Sequence, residues 1–215
     1  MPDIAPNRIM IPLYDESRSS KRTPWITFFL IVLNAVIFFV SLDNSNGFIE
    51  TYGFYPSDIS NGSCLRIFTS LFLHANFWHL LGNMWFLWIF GDNLERKLGG
   101  FKFLLFYLLC GAGAALLYAF SAVNQDIPVI GASGAISGVM GGYLVFFARN
   151  KIKTLVPLIF IWTLASVPAV FFIIFWFALQ IIGVLIGSSD MVAYWGHIGG
   201  FATGLALALF IKKFR

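Results

Sequence analysis

Thr154–Gly187 reads TLVPLIFIWTLASVPAVFFIIFWFALQIIGVLIG, 34 residues without a charge. How this run is threaded decides the fold. A membrane span takes about 20 mostly apolar residues to cross a hydrocarbon core of about 30 Å. The run is too long for one span and too short for two with a turn, and Pro157 and Pro168 interrupt it. We place one span near Val167–Gly187 and lay Thr154–Trp162 along the inner membrane interface.

Outward from this run, further spans are expected at Pro24–Ser41, at Phe77–Gly91 with an uncharged lead-in from Ile67, and at Phe103–Ser121, Ile130–Ala148 and Met191–Ile211. The chain is 59% hydrophobic and 11% charged, with a mean hydropathy of +0.81, which excludes a soluble domain of this size. Pro24–Ser41 follows a polar tail ending in Lys21-Arg22. No small-residue cleavage site follows it, so it reads as a retained span and not a signal peptide.

Charge placement tests the threading. Lys and Arg collect on the cytoplasmic side of short loops. With six spans and both termini inside, the inner segments hold Arg8, Arg18, Lys21, Arg22, Arg96, Lys97, Lys102, Arg149, Lys151, Lys153, Lys212, Lys213 and Arg215, 13 of the 14 basic residues. Only Arg66 falls outside, while Asp43, Glu50, Asp58, Asp126 and Asp190 lie in outer loops. Two spans within the long run would put Lys212, Lys213 and Arg215 outside. The expected fold is therefore an all-α polytopic membrane protein with six transmembrane helices and cytoplasmic N- and C-termini. Residues 1–23 form a short cytoplasmic tail, 24–211 the membrane-embedded domain and 212–215 a basic cytoplasmic tail. A tail of about 23 residues is too short to fold alone. The net charge of +4 follows from topology and gives no reason to invoke nucleic acid. Cys64 and Cys110 lie at different depths, which argues against a disulfide, and there is no CxxC pattern.

Polar groups inside a membrane are expensive and usually functional. The three histidines, His74, His79 and His197, all lie near outer ends of spans. His197 lies about six residues into the last span, roughly 9 Å deep. Ser133, in the stretch Ile130–Gly138 (IGASGAISG), lies three or four residues into the fourth, roughly 5–10 Å deep. In isolation this serine reads as part of a helix-packing surface. Yet Ser133 and His197, 64 residues apart, fall in one layer, which packing does not require.

The spacing of small residues explains how they meet. Gly200-Phe-Ala-Thr-Gly204 lets a backbone come close to the last span, and Gly204 shares a face with His197. The fourth span answers with the stripes Ser133, Ser137, Gly141 and Gly134, Gly138, Gly142. Close packing brings a serine nucleophile to an imidazole base. No carboxylate lies at this depth to orient His197, so the expected unit is a Ser–His dyad. His79 and Asn83 share a face of the second span at i, i+4 and supply oxyanion donors, with the Ser133 backbone N–H as a third. His74 is read as pointing elsewhere. Zinc is a weaker reading because HExxH is missing. Transport is weaker because the polar cluster is one-sided and no repeat is visible.

At these residues the sequence resembles the rhomboid family of intramembrane serine proteases. The matching motifs are Gly131-Ala-Ser-Gly134, His74-x4-His79-x3-Asn83, Phe90-Gly-Asp-Asn-Leu-Glu95, and His197-Ile-Gly-Gly200-x3-Gly204, with Arg66 similar to the Arg of a first-loop Trp-Arg pair. The likeness runs from about residue 24 to 211. It implies six helices around a water-filled cavity open to the outside. Ser133 would be the nucleophile and His197 the base. His79, Asn83 and the backbone of Ser133 and Ala132 would form the oxyanion hole, with His74 organising the outer loop and Glu95 structural. No metal and no cofactor are implied.

The implied substrates are single-span membrane proteins, cut in or near their membrane segment. They would enter past the fifth helix and its cap near Gly187–Met191. A prokaryotic cytoplasmic membrane with the site open to its outer face is the expected location, and the sequence assigns no oligomeric state. Two positions depart from the family. Leu65 stands where the Trp before Arg66 is expected. Ser137 stands where an aromatic stacks on the catalytic histidine, which leaves a water or the Ser137 hydroxyl to orient His197. The alternative is a rhomboid-like pseudoprotease that binds membrane helices without cutting them. Such relatives usually lack the Ser or the His, and both are present here.

Overall fold

Proline and glycine punctuation sets most of the helix boundaries. The computed structural model describes residues 10–16, 22–122, 125–157, 162–187 and 193–214. Expectations resting on Arg8, Arg18, Lys21, Asp190, Met191 and Arg215, and on residues 158–161, lie outside these. Helix α1 (Trp25–Ser41) starts after Pro24 and runs through a 3-10 turn into α2 (Ser45–Tyr52). Two one-turn helices follow, α3 (Asp58–Asn61) and α4 (Arg66–Thr69). Helix α5 (Phe77–Phe86) continues through a π-helical segment, Leu87–Gly91, into α6 (Asp92–Leu98). Gly99, at φ 88°, makes the turn into α7 (Gly100–Ser121). Helices α8 (Ser133–Phe147), α9 (Ala169–Leu185) and α10 (Tyr194–Lys213) complete the bundle.

Among the described residues, three helical segments are long and apolar enough to cross a membrane: Trp25–Tyr52, Gly100–Ser121 and Tyr194–Lys213. Helices α8 and α9 are shorter and apolar. Three expected boundaries move. The lead-in from Ile67 is not continuous with α5, because a 3-10 turn ends at Phe72 and Leu73 is extended. The last helix begins at Tyr194. The fourth begins at Ser133 itself, because Gly131 takes φ 112°, which no helix contains.

The chain is not all-α. Strands β1 (Ile11–Asp15), β2 (Lys151–Pro157) and β3 (Trp162–Pro168) form an antiparallel sheet in the order β1-β2-β3. The segment Thr154–Trp162, expected to lie flat at the interface, belongs partly to these two hairpin strands, which pair from Lys151↔Pro168 to Pro157↔Trp162. The reason is local. Two prolines exclude a continuous helix, and the Ile, Val and Thr between Lys151 and Pro168 suit a pleated strand. Pro168 then serves as the residue before α9, where its missing N–H costs nothing. Residues Ile11–Asp15 join this hairpin as β1. Glu16 accepts from the Ser166 hydroxyl and pairs with Lys153, which together hold its carboxyl below the ordinary value.

Two buried carboxylates tie together the half of the bundle away from Ser133. Glu95 on α6 accepts from the Ile26 and Thr27 N–H groups and the Thr27 hydroxyl, at 2.7–2.9 Å, and so caps α1 where its dipole favours an anion. Asp15 on β1 accepts from Asn93 on α6, Tyr143 on α8 and Asn150. The Trp85 indole N–H on α5 bonds the Pro12 carbonyl at 2.6 Å. Between α8 and α10 the backbones touch. A Cβ at Gly200 would overlap the Gly134 carbonyl, and one at Gly204 the Gly138 carbonyl.

Removing the Asp15 carboxylate leaves two buried donors, those of Asn93 and Tyr143, without their acceptor. Asp15→Ala should cost about 2–4 kcal/mol, read as a lower thermal midpoint in detergent. An unchanged midpoint would show that the cluster does not hold β1 to the bundle.

Candidate active site

Helix α8 starts where it does because Gly131 turns the chain and donates its N–H to the Ser70 carbonyl at 2.9 Å. This puts Ser133 in the first turn, with its backbone N–H outside the intrahelical ladder and its hydroxyl facing α10. His197 stands in the first turn of α10. The glycine contacts below them set the distance: His197 Nε2 and Ser133 Oγ are 2.8 Å apart. The expected pair is therefore brought together across the 64 residues that separate it.

The other ring nitrogen has a partner that the sequence did not reveal. His197 Nδ1 lies 2.8 Å from Gln180 Oε1 on α9. The Gln180 Nε2 donates to the Trp176 carbonyl at 3.1 Å, which turns the amide oxygen toward the imidazole. The Trp176 ring lies 5.9 Å from the His197 ring, tilted by 38°. Ser137 does not reach His197. Its hydroxyl donates to the Ser133 carbonyl at 2.7 Å. Gln180 was traceable in principle: it is the only carboxamide in the uncharged run Thr154–Gly187.

Helix α5 supplies the facing wall. Asn76 caps it, accepting from the His79 N–H at 2.9 Å. An ideal Cβ at Gly131 would lie 2.8 Å from His79 Cε1 and Nε2 and 3.9 Å from Asn83 Nδ2. Both side chains thus sit over the backbone just before Ser133, and only glycine leaves them room. The Ala75 N–H approaches His79 Nδ1 at 3.5 Å, an arrangement that leaves the His79 proton on Nε2, toward Gly131. One Asn83 amide hydrogen goes to the His79 carbonyl at 2.9 Å, and the second is available. Ala132 lies in the turn between Gly131 and α8, fully buried.

His74 does not point away. It is buried, and its ring meets that of His79 edge-on at 5.0 Å. Arg66 opens the one-turn helix α4. It pairs with Asp58 at 3.4 Å and covers the Tyr55 ring at 5.5 Å, while Leu65 is left exposed. Glu95, at the opposite end of the bundle from Ser133, caps α1. Gly134 packs against Ala114, and Gly200 and Gly204 meet the α8 backbone.

Two cavities share His79, Ser133 and His197. One, of about 320 Å³, is walled by the loop residues Asn76, Pro128 and Ile130. The other, of about 240 Å³, opens between α5 and α9 past Trp78, Phe86 and Trp176.

Comparison with known proteins identifies the family. A family model described as a Rhomboid domain matches residues 61–214. The chain is 35% identical over 135 residues to the putative rhomboid protease YdcA of Bacillus subtilis, covering 60% of this chain and 66% of that one. It is 34% identical over 146 residues to RHOMBOID-like protein 6, mitochondrial, of Arabidopsis thaliana, covering 68% and 43%. To Rhomboid protein 1, mitochondrial, of Saccharomyces cerevisiae it is 30% identical over 195 residues, covering 87% and 54%. The chain thus spans between about two fifths and two thirds of these relatives' own lengths.

A serine hydroxyl 2.8 Å from an imidazole nitrogen should react with an electrophile that ordinary serines ignore. A fluorophosphonate probe should label the purified protein at Ser133, and both Ser133→Ala and His197→Ala should abolish the label. Labelling that persists in Ser133→Ala would remove Ser133 from the site.

Proposed function

The chain belongs to the rhomboid family of integral membrane proteins, and from that premise we propose that it is an intramembrane serine endopeptidase working through Ser133 and His197. The observation that carries the reading is the 2.8 Å contact between His197 Nε2 and Ser133 Oγ, beside donors on α5. In the reaction, His197 Nε2 takes the Ser133 proton as Oγ attacks the scissile carbonyl carbon. The carbonyl oxygen becomes an oxyanion, bound by the His79 Nε2–H, the free Asn83 amide hydrogen and the backbone N–H of Ser133, with that of Ala132 beside it. The imidazolium then gives its proton to the leaving amine, and the C–N bond breaks to leave an acyl-serine. Water, deprotonated by His197, attacks the ester and restores Ser133. The geometry needs no metal or cofactor for these steps.

The proposed topology has six spans with both termini on the cytoplasmic side, in the cytoplasmic membrane of a prokaryote. Helix α8 has 15 residues and is roughly 22 Å long, short of a core of about 30 Å. With its lower end at the inner surface beside Arg149, Ser133 lies several ångströms below the outer one. The irregular backbone before Ser133 is tolerable at that depth because it lines a cavity. Water enters from the loop side. A substrate helix enters through the gap between α5 and α9. The preferred substrates are single-span proteins whose outer membrane half carries Gly, Pro or polar residues, since a stable helix in lipid shields its own peptide bonds.

The direct test is purified protein with a labelled membrane-helix substrate. Wild type should cleave and Ser133→Ala should not. A pseudoprotease would bind without product. Asn83→Ala and His79→Ala should each lower kcat by roughly 10–10³-fold. If both cleave like wild type, α5 does not face the reacting carbonyl. Replacing a substrate's membrane Gly and Pro residues by Leu should slow its cleavage while leaving its insertion intact. Equal rates would exclude helix instability as the selection rule.

A further inference from the structure

A catalytic imidazole has two neutral tautomers, and only one can act as the base here. Nε2 faces Ser133 Oγ at 2.8 Å and has to carry the lone pair, so the proton has to sit on Nδ1. That proton needs an acceptor. Among the described residues its partner is Gln180 Oε1, at 2.8 Å. The amide is not free to present its other end. Its Nε2 is engaged by the carbonyl of Trp176, one turn earlier in α9, at 3.1 Å, and the side chain is buried. A carboxamide whose NH2 is held by its own helix can offer His197 only an oxygen. Helix α9 is in turn held to α10 one turn below, where the Phe177 and Phe201 rings stack at 4.3 Å. Its foot is fixed by the Ala169 and Val170 N–H groups, which donate to the carbonyls of Asn150 and Ala148.

We propose that Gln180 is a positioning residue that fixes His197 as the Nδ1–H tautomer and so readies it to deprotonate Ser133. This rests on the dyad reading above and adds a third member to it, delivered by a helix that carries neither catalytic residue. The unit is a Ser133–His197–Gln180 relay in which the outer member is neutral. It orients the imidazole by accepting a hydrogen bond and takes no proton. No bond to Gln180 forms or breaks in the reaction.

The test uses the full chain in detergent and reads chemistry and tautomer separately. The first readout is the second-order rate of fluorophosphonate labelling, which needs no substrate helix to dock. Gln180→Leu keeps the volume and removes the acceptor. It should slow labelling on the order of 10–10²-fold. Gln180→Glu returns an acceptor to the same place and should label faster than Gln180→Leu. The second readout is the nitrogen NMR spectrum of protein carrying 15N-histidine, with His197 assigned by its loss in His197→Phe. In the neutral ring of wild type, Nδ1 should carry the proton. In Gln180→Leu the signals should move toward a mixture of both tautomers.

Three results would each overturn the proposal: wild-type labelling in Gln180→Leu, an equal fall in the Leu and Glu variants, or an Nδ1 proton retained in full in Gln180→Leu. Failure of the catalytic reading looks different. There the wild-type chain itself would not label at Ser133, while the spectrum would still report whether Gln180 sets the tautomer.

Discussion

Everything at the site depends on two backbones that touch. Lipid tails are as apolar as leucine, so no hydrophobic force drives α8 onto α10, and their packing has to come from close van der Waals contact. Glycines supply it: Gly134 against Gly200 and Gly138 against Gly204, with Gly141 against the Phe201 carbonyl. Three successive contacts along one seam fix the translation and rotation of one helix on the other. A serine side chain reaches one bond beyond Cβ, so a seam widened by a single methyl layer would carry Oγ out of hydrogen-bond range of the imidazole. Helix α7 closes the other side. Gly199 packs on the Gly113 carbonyl, Gly134 on Ala114 and Gly138 on Cys110. The dyad is thus set by residues that have no chemistry of their own.

The half of the bundle away from Ser133 is built differently, and for a complementary reason. There the helices are joined by buried carboxylates saturated with donors. Glu95 holds the start of α1 to α6, and Asp15 holds β1 to α6 and α8. A carboxylate with several donors tolerates burial that an unpaired one does not. Neither residue is near the dyad. Together they make one end of the bundle firm, and the two cavities that share His79, Ser133 and His197 lie toward the other. The sheet extends the firm end under α9. Strand β3 runs straight into that helix through Pro168, so the hairpin sets where α9 begins.

The dyad was legible in the sequence because two independent signals coincide there. Glycine spacing brings two helices close, and the polar residues on them share a depth. The wall that faces Ser133 was legible for a similar reason, since His79 and Asn83 are i, i+4 on one helix and Gly131 leaves space beside both. The sheet was not legible. Charge counting identifies what is buried in lipid or lies at its surface. It does not distinguish strand from helix in an uncharged run, and only the proline pair hinted at a break. The pairing of β1 with β2 joins residues about 140 apart, for which the sequence offers no local sign. His74 was misplaced because a spacing of five was read as helical, whereas Leu73 is extended and His74 comes before α5, so its ring can turn back onto His79.

Gln180 was not legible because the partner that histidine chemistry leads one to expect is a carboxylate. In water-accessible serine hydrolases an aspartate both orients the histidine and stabilises the imidazolium. Inside a membrane that choice changes value. A buried carboxylate facing a neutral imidazole is an uncompensated charge, and its desolvation costs several kcal/mol. A carboxamide orients the ring through one hydrogen bond, costs little to bury when both its ends are bonded, and adds no charge inside the bundle. Gln180 has both ends bonded, to His197 and to the Trp176 carbonyl, so α9 holds the ring without bringing a charge into the membrane.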